Sequence, residues 1–272
     1  MVDSSPAGGG DINRAERMRL ADGRELFVKH RAGAAPGMYA AEAAGLAWLA
    51  EAEALRTPAV AAVGDERPPR FLALELIPRG RPAPGHDEAL GRGLAALHRA
   101  GAPAFGLGED NFIGTLPQPN APAAEWAEFY GERRLEPMAR AAAEAGVLGE
   151  GFLAGLERLR SRLPDLCGPP EPPARLHGDL WGGNAMTDAA GDPVLIDPAA
   201  YGGHREIDLA MMRLFGGFGA ATFAAYAEAH PLAAGHDDRV ELYQLYPVLV
   251  HVVLFGGGYA RSAERILRRY AG

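Results

Sequence analysis

Three residues in the second half of the chain have types and spacing that could carry out a reaction. Asp179 and Asn184 stand five residues apart in HGDLWGGN, and Asp197 closes the apolar run PVLI. A carboxylate such as Asp179 can accept the proton of a substrate hydroxyl. Amide and carboxylate oxygens such as those of Asn184 and Asp197 suit hard cations. A phosphoryl group in transfer develops charge that needs cations already in position. Lys29, in the stretch ELFVKH, adds a cation. It is the chain's single lysine, and the other 26 of the 27 basic residues are arginine. A coding bias against lysine explains the scarcity but not the one that is kept. An ammonium is a compact point charge on a flexible stem, whereas a guanidinium is a planar fork. Lys29 therefore reads either as a lone solvated residue or as part of a site that cannot use arginine.

These residues need elements to hold them. ELFVKH alternates apolar and polar residues, as a half-buried strand does. Residues 38–55 are alanine-rich with apolar residues at helical spacing, which predicts a helix, and 70–77 (RFLALELI) predicts a short buried strand. Beyond residue 85 the pattern is mostly helical, over about 86–100, 124–145, 150–163, 206–215, 220–229, 237–256 and 261–270. One strand pair, ARLHGDL with PVLIDP, is expected to interrupt the helices. Pro/Gly clusters punctuate the chain at 66–70, 77–85, 116–122 and 167–174, and no internal repeat is visible. A small α/β piece followed by a larger helical one would leave a cleft between them, a usual place for a ligand.

The bulk composition narrows the classes. With 48% apolar and 23% charged residues the chain is that of a globular protein. A net charge of −8 and a pI near 5.5 argue against a nucleic-acid partner. Cys167 is the single cysteine, so an internal disulfide is impossible and a cysteine-based zinc site is disfavoured, in keeping with a reducing cytoplasm. Residues 1–13 have no basic segment followed by an apolar one, unlike a secretory leader. The longest apolar run, 246–255, carries Pro247 and His251 and is too short to span a bilayer. It reads as a buried helix, and no membrane partner is expected.

The protein-kinase catalytic loop has an aspartate and an asparagine at the spacing of Asp179 and Asn184, followed by an aspartate that holds magnesium. More specifically, HGDLWGGN, DPAAYGGHREIDLAMM and LFGGF closely resemble the fructosamine kinase (ketosamine-3-kinase) family. That family lies within the aminoglycoside-phosphotransferase and choline-kinase group. The resemblance extends through FGLGEDNFIGTLPQPN (105–120), WAEFYGERRLEPM (126–138), LAALHRAG (94–101) and the N-terminal GGGDIN and DGRELFVK, and so covers nearly the whole chain. It implies an α+β, two-lobe, protein-kinase-like fold. The N-terminal lobe, about 1–77, would hold an antiparallel sheet and one main helix and bind nucleotide. The helical lobe, 78–272, would hold the catalytic loop and the acceptor.

The resemblance also implies roles. ATP would be the phosphoryl donor with magnesium, and the acceptor would be the 3-hydroxyl of a ketosamine, on a free amine or a protein. Lys29 would pair the ATP phosphates and be held by Glu42 on the next helix, with Glu51 and Glu53 as further candidates. Glu75, Leu76 and Ile77 would join the lobes and reach the adenine edge. Gly8, Gly9 and Gly10 would form a loop over the phosphates, or be a flexible tail. The few residues before them leave the first strand short or absent. Trp181 would pack on the sugar or its amine carrier, or belong to the core. His177 and Asp208 would brace the catalytic loop, and His98, His204 and His251 read as structural. A kinase of another small acceptor and a nucleotide-binding pseudokinase are the alternatives. The chain is expected to act as a monomer.

Overall fold

The computed structural model describes residues 3–7 and 14–272. The N-terminal part is a five-stranded sheet with one main helix. Its strands are β1 (Asp3–Ala7), β2 (Arg14–Arg19), β3 (Glu25–His30), β4 (Val60–Gly64) and β5 (Phe71–Glu75), in the order β1-β2-β3-β5-β4, and every pairing is antiparallel. β3 lies at the centre, where both of its edges are paired, so Lys29 sits at a fixed register between Ala15 and Leu72. Helix α1 (Met38–Ala50) lies between β3 and β4 in sequence and packs on the sheet. Tyr39 and Leu46 meet Leu72 and Leu74 in a small core. This core fixes the distance between the central strand and the helix, and hence between Lys29 and Glu42.

The first strand is neither short nor absent, contrary to expectation. Asp3–Ala7 pairs residue for residue with β2, because backbone pairing does not need the apolar alternation that this polar stretch lacks. The expected helix over 38–55 stops at Ala50. Pro58 disfavours a helical residue before it. The chain turns back through Glu53, at φ 48°, so that the Arg56 carbonyl accepts Leu195 N–H.

The rest of the chain is mostly helical. It runs through α2 (His86–Ala100), the hairpin β6 (Asn111–Ile113) and β7 (Leu116–Gln118), and α3 (Trp126–Phe129). A π-helical turn over 130–135 leads into α4 (Glu136–Glu144) and α5 (Glu150–Leu166). Strands β8 (Ala174–Leu176), β9 (Ala185–Thr187), β10 (Pro193–Leu195) and β11 (Tyr201–Gly203) follow, then α6 (Glu206–Phe215), α7 (Ala220–Ala229), α8 (His236–Phe255) and α9 (Gly258–Ala271). The main core joins α3 to α5 with α6, α8 and α9 through residues such as Phe129, Leu159 and Leu249. The apolar run 246–255 lies inside α8, and among the described residues no helix is long and apolar enough to cross a membrane.

ARLHGDL and PVLIDP do not pair with each other. β8 pairs with β11 and β10 with β9, all antiparallel. Each strand has only three residues, too few for sequence pattern to select its partner. The consequence for the site is useful. Two small ladders place 177–184 and 196–200 side by side, and Ala199 N–H donates to His177 O at 3.0 Å.

Candidate active site

Lys29 is buried, and its ammonium donates to both oxygens of Glu42 at 2.8 and 2.9 Å and to Asp197 Oδ1 at 2.9 Å. The three residues come from β3, α1 and the loop after β10, so the cluster exists only where sheet, helix and catalytic segment meet. Burial alone would lower the Lys29 pKa, but the two carboxylates outweigh it and raise it, so the residue is charged. Burial pushes the Glu42 carboxyl up while Lys29 pulls it down. Glu51 caps the end of α1 and lies 3.5 Å from Arg175, and Glu53 lies in the turn beyond the helix; neither pairs with Lys29.

Asp197 has φ 54°, a left-handed conformation that costs a non-glycine residue about 1–3 kcal/mol. Lys29 takes Oδ1, and no described residue hydrogen-bonds Oδ2. Asn184, buried on a short 3₁₀ turn, donates through Nδ2 to Asp179 O at 2.8 Å, to Asp179 Oδ2 at 3.1 Å and to Asp197 O at 3.4 Å. With the nitrogen so engaged, its oxygen is the atom left to a cation. One amide oxygen and one carboxylate oxygen suit magnesium, which commonly takes one or two protein oxygens and completes its shell with phosphates and water. Among the described residues no group of three or more His, Cys, Asp or Glu side chains could hold a metal by itself.

The Asp179 carboxyl is pushed up to about 7, by burial first and then by the negative charge of Asp197, while the Asn184 hydrogen bond opposes the rise. Its loop is held from beneath. Asp208, fully buried near the start of α6, accepts His177 N–H at 2.8 Å and Gly178 N–H at 2.9 Å, and lies 3.2 Å from His98 Nε2. Gly178 has φ 83°, and a Cβ there would collide with the Ala199 carbonyl oxygen, so the turn requires glycine. His177 Nε2–H donates to Ile196 O at 2.9 Å while Nδ1 accepts Asp179 N–H at 3.3 Å, a neutral tautomer consistent with a pKa lowered by burial.

Trp181 is 41% exposed and so lies outside the core; a Cβ on Gly183 would run into its ring. Gly182 N–H donates to Gly216 O at 3.2 Å, which brings the loop after α6 against the catalytic loop. At the end of α6, Phe215 meets His251 at 4.6 Å between ring centroids, and His251 in turn meets Tyr259 and the exposed Phe255. Sequence reasoning treated His251 only as structural and missed this aromatic wall. Its signal was the pair of glycine-flanked aromatics in LFGGF and LFGGGY. His98 is buried between Asp208 and Tyr226, and His204 is buried against Tyr243.

At the junction of the two parts, Glu75 ends β5 and its carboxylate accepts from Arg56 at 2.6 Å and from Ala59 N–H at 3.2 Å. Leu76 and Ile77 follow outside the ladder, with Ile77 buried. Gly8, Gly9 and Gly10 lie outside the described residues.

The family model described as fructosamine kinase matches residues 1–271. The chain is similar to the probable ketoamine kinase of Synechocystis, at 40% identity over 267 residues that cover 96% of this chain and 88% of the relative. It is similar to the chloroplastic protein-ribulosamine 3-kinase of Arabidopsis thaliana, at 37% identity, covering 97% of this chain and 81% of that one. Among solved structures it resembles a Thermobifida fusca protein assigned as a fructosamine-3-kinase. There the identity is 43%, the TM-score is 0.89, and 98% of this chain and 92% of the other are covered.

Proposed function

The chain belongs to the fructosamine kinase family, and we propose that it transfers the γ-phosphoryl group of ATP to the 3-hydroxyl of a ketosamine. The fold is two-lobed and protein-kinase-like, and the protein is an ATP-dependent kinase with a hydroxyl as acceptor. The acceptors we propose are ribulosamines, erythrulosamines and fructosamines, free or on protein, so that the role is deglycation of amines. The relative named a protein-ribulosamine 3-kinase supports this choice. The observation that carries the reading is the convergence of Lys29, Glu42, Asp197, Asn184 and Asp179 where the sheet meets the helical part.

In this reading residues 1–77 bind the nucleotide and 78–272 bring the acceptor to it. Lys29, held by Glu42, pairs the α/β-phosphates. Glu75, Leu76 and Ile77 line the adenine edge through their backbone, since the Glu75 side chain is already engaged with Arg56. Gly9 and Gly10 cover the phosphates. Asn184 and Asp197 hold magnesium, which when bound neutralises charge on the transferring phosphoryl group. Asp179 accepts the proton of the 3-hydroxyl as its oxygen bonds the γ-phosphorus, the bond from that phosphorus to the bridging oxygen of the β-phosphate breaks, and ADP leaves. A carboxyl poised near 7 suits a base working near neutrality. Trp181 packs on the sugar or its amine carrier, and His177 and Asp208 hold the loop. We further propose a cytoplasmic monomer, and one without a nucleic-acid partner, the last of these supported by the net charge of −8.

The test is a panel of acceptors read by ADP formation: ribulosyl-, erythrulosyl- and fructosyl-lysine beside aminoglycosides and choline. Turnover with the ketosamines is expected. Turnover with an aminoglycoside or choline alone would replace the acceptor. Absence of turnover with every acceptor would favour a nucleotide-binding scaffold.

A further inference from the structure

Asp197 is held in a costly backbone conformation, and Lys29 constrains only its side chain. The backbone is gripped from two sides. Upstream, Ile196 N–H donates to Asn184 O at 3.0 Å and Ile196 O accepts from His177. Downstream, beyond Pro198, two buried side-chain amides take the next two carbonyls. Gln118 Nε2 donates to Ala199 O at 3.1 Å, and Asn111 Nδ2 donates to Ala200 O at 2.8 Å. Both side chains come from the β6–β7 hairpin, in the stretch NFIGTLPQPN, far in sequence from the segment they hold.

The two amides are oriented by a chain of donors with one direction. Arg134 Nη2 donates to Asn120 Oδ1 at 2.6 Å. Asn120 Nδ2 donates to Asn111 Oδ1 at 2.9 Å, and Gln118 Nε2 donates to the same oxygen at 2.7 Å. Tyr246 O–H donates to Gln118 Oε1 at 2.6 Å. Asn111 Oδ1 and Gln118 Oε1 are both committed as acceptors, so both nitrogens must face the carbonyls. Gln118, Asn120 and Arg134 have no exposed surface, and Arg134 lies 3.8 Å over the Tyr201 ring with no carboxylate within ion-pair distance among the described residues. Its charge heads the relay, and aligned hydrogen bonds in a low-dielectric interior reinforce one another. A buried amide left half-satisfied is costly, so the relay has one low-energy arrangement.

We propose that Gln118 and Asn111 are positioning residues for phosphoryl transfer: the relay headed by Arg134 clamps the Ala199 and Ala200 carbonyls and so holds Asp197 in its left-handed geometry. The inference rests on the reading of Asp197 as a metal-holding carboxylate. It accounts for side chains in the 105–120 and 126–138 stretches to which the phosphoryl-transfer chemistry gives no role.

The test compares Gln118→Met, which removes the donor to Ala199 O at similar volume, with Tyr130→Phe. The latter deletes a buried hydrogen bond outside the relay, Tyr130 O–H to Leu242 O at 2.7 Å, and leaves both carbonyl contacts and the donors that orient them in place. Hydrogen exchange over 199–203 is measured without nucleotide or metal, and Mn²⁺ affinity is measured by electron paramagnetic resonance in the presence of ADP. In Gln118→Met, exchange is expected to rise at least ~10-fold and Mn²⁺ affinity to fall ~10- to 100-fold. The acceptor KM should be unchanged while kcat falls, and Tyr130→Phe should resemble wild type in all of these. If Gln118→Met does not fold, Asn120→Ser, one step upstream in the relay, is held to the same pattern with smaller amplitude. Unchanged exchange, or equal changes in Tyr130→Phe, would overturn the clamp. Asp197→Asn separates the two readings. If it loses Mn²⁺ while Gln118→Met keeps it, the positioning inference fails and the metal role stands. If Asp197→Asn keeps Mn²⁺, the metal role fails, and the exchange data alone decide whether the clamp exists.

Discussion

Asp179 and Asp208 lie close together around one loop and are driven in opposite directions. Burial raises the pKa of both. At Asp208 the hydrogen bonds from His98 and from the Gly178 and His177 backbone overcome it, and the carboxyl is held below its usual range. At Asp179 the single side-chain hydrogen bond from Asn184 does not overcome burial and the nearby Asp197, and the carboxyl rises to about 7. A carboxylate whose acceptor sites are filled by its own protein is committed to structure. One whose sites are left open holds its charge poorly and is available to a substrate proton. This contrast separates a base from a brace where residue type alone cannot.

The contrast can be broken most sharply at Asp179. Asp179→Asn should lower kcat by at least ~10² while nucleotide affinity changes little. Wild-type turnover in this variant would remove Asp179 from the chemistry.

The next largest effect is expected at Lys29. Lys29→Arg keeps the charge but enlarges and flattens the group between Glu42 and Asp197, and a misplacement of ~1 Å can cost ~10²-fold in rate. Loss of most kcat/KM for ATP with little change in melting temperature is expected. Lys29→Met should lose activity as far and also lower the melting temperature, because Glu42 and Asp197 are left without their cation, and Glu42→Gln should show a milder kinetic defect. Unaltered kinetics in Lys29→Arg would make the single lysine an accident of composition.

Asp208→Ala should act on stability. It strands two buried backbone N–H groups at ~1–3 kcal/mol each, which lowers the melting temperature by at least ~5 °C in a chain of this size. A variant that melts as wild type does would refute the brace.

The pH dependence carries the same contrast with opposite signs. Asp208 has a lowered folded-state pKa, so its contribution is present above the unfolded value of ~3.9 and is lost as pH falls through the folded value. Asp179 has a raised one, so it disfavours folding increasingly as pH rises from ~3.9 toward about 7. Thermal melting of Asp179→Asn should therefore gain on wild type over that interval. A constant difference would contradict the raised pKa. The smallest effect is expected at Trp181. Trp181→Ala should raise the acceptor KM by ~10-fold or less and leave melting unchanged, because the ring is exposed.

The chemistry was more legible in the sequence than the scaffold that supports it. Asp179, Asn184 and Asp197 stand within one short stretch, and Lys29 stood out by its rarity; such signals are local. The strands around them were harder to read. β4, VAAVG, is a mostly exposed edge with little alternation, and β8 to β11 have three residues each, so their partners are decided by tertiary packing. Asn111, Gln118 and Asn120 look like turn residues in sequence, and only the fold brings their amides to the Ala199 and Ala200 carbonyls. The contrast between Asp179 and Asp208 was likewise legible as two aspartates with different roles, but the pKa directions follow from the donors that the fold supplies.

The most direct test of the account is the position of the phosphate. Wild-type protein is incubated with MgATP and ribulosyl-lysine, and the product is examined by phosphorus and carbon nuclear magnetic resonance. The account predicts a single phosphate on the 3-oxygen, formed one for one with ADP and absent from the Asp179→Asn reaction over the same time. A phosphate on another oxygen, or ADP formed without any phosphorylated ketosamine, would contradict it.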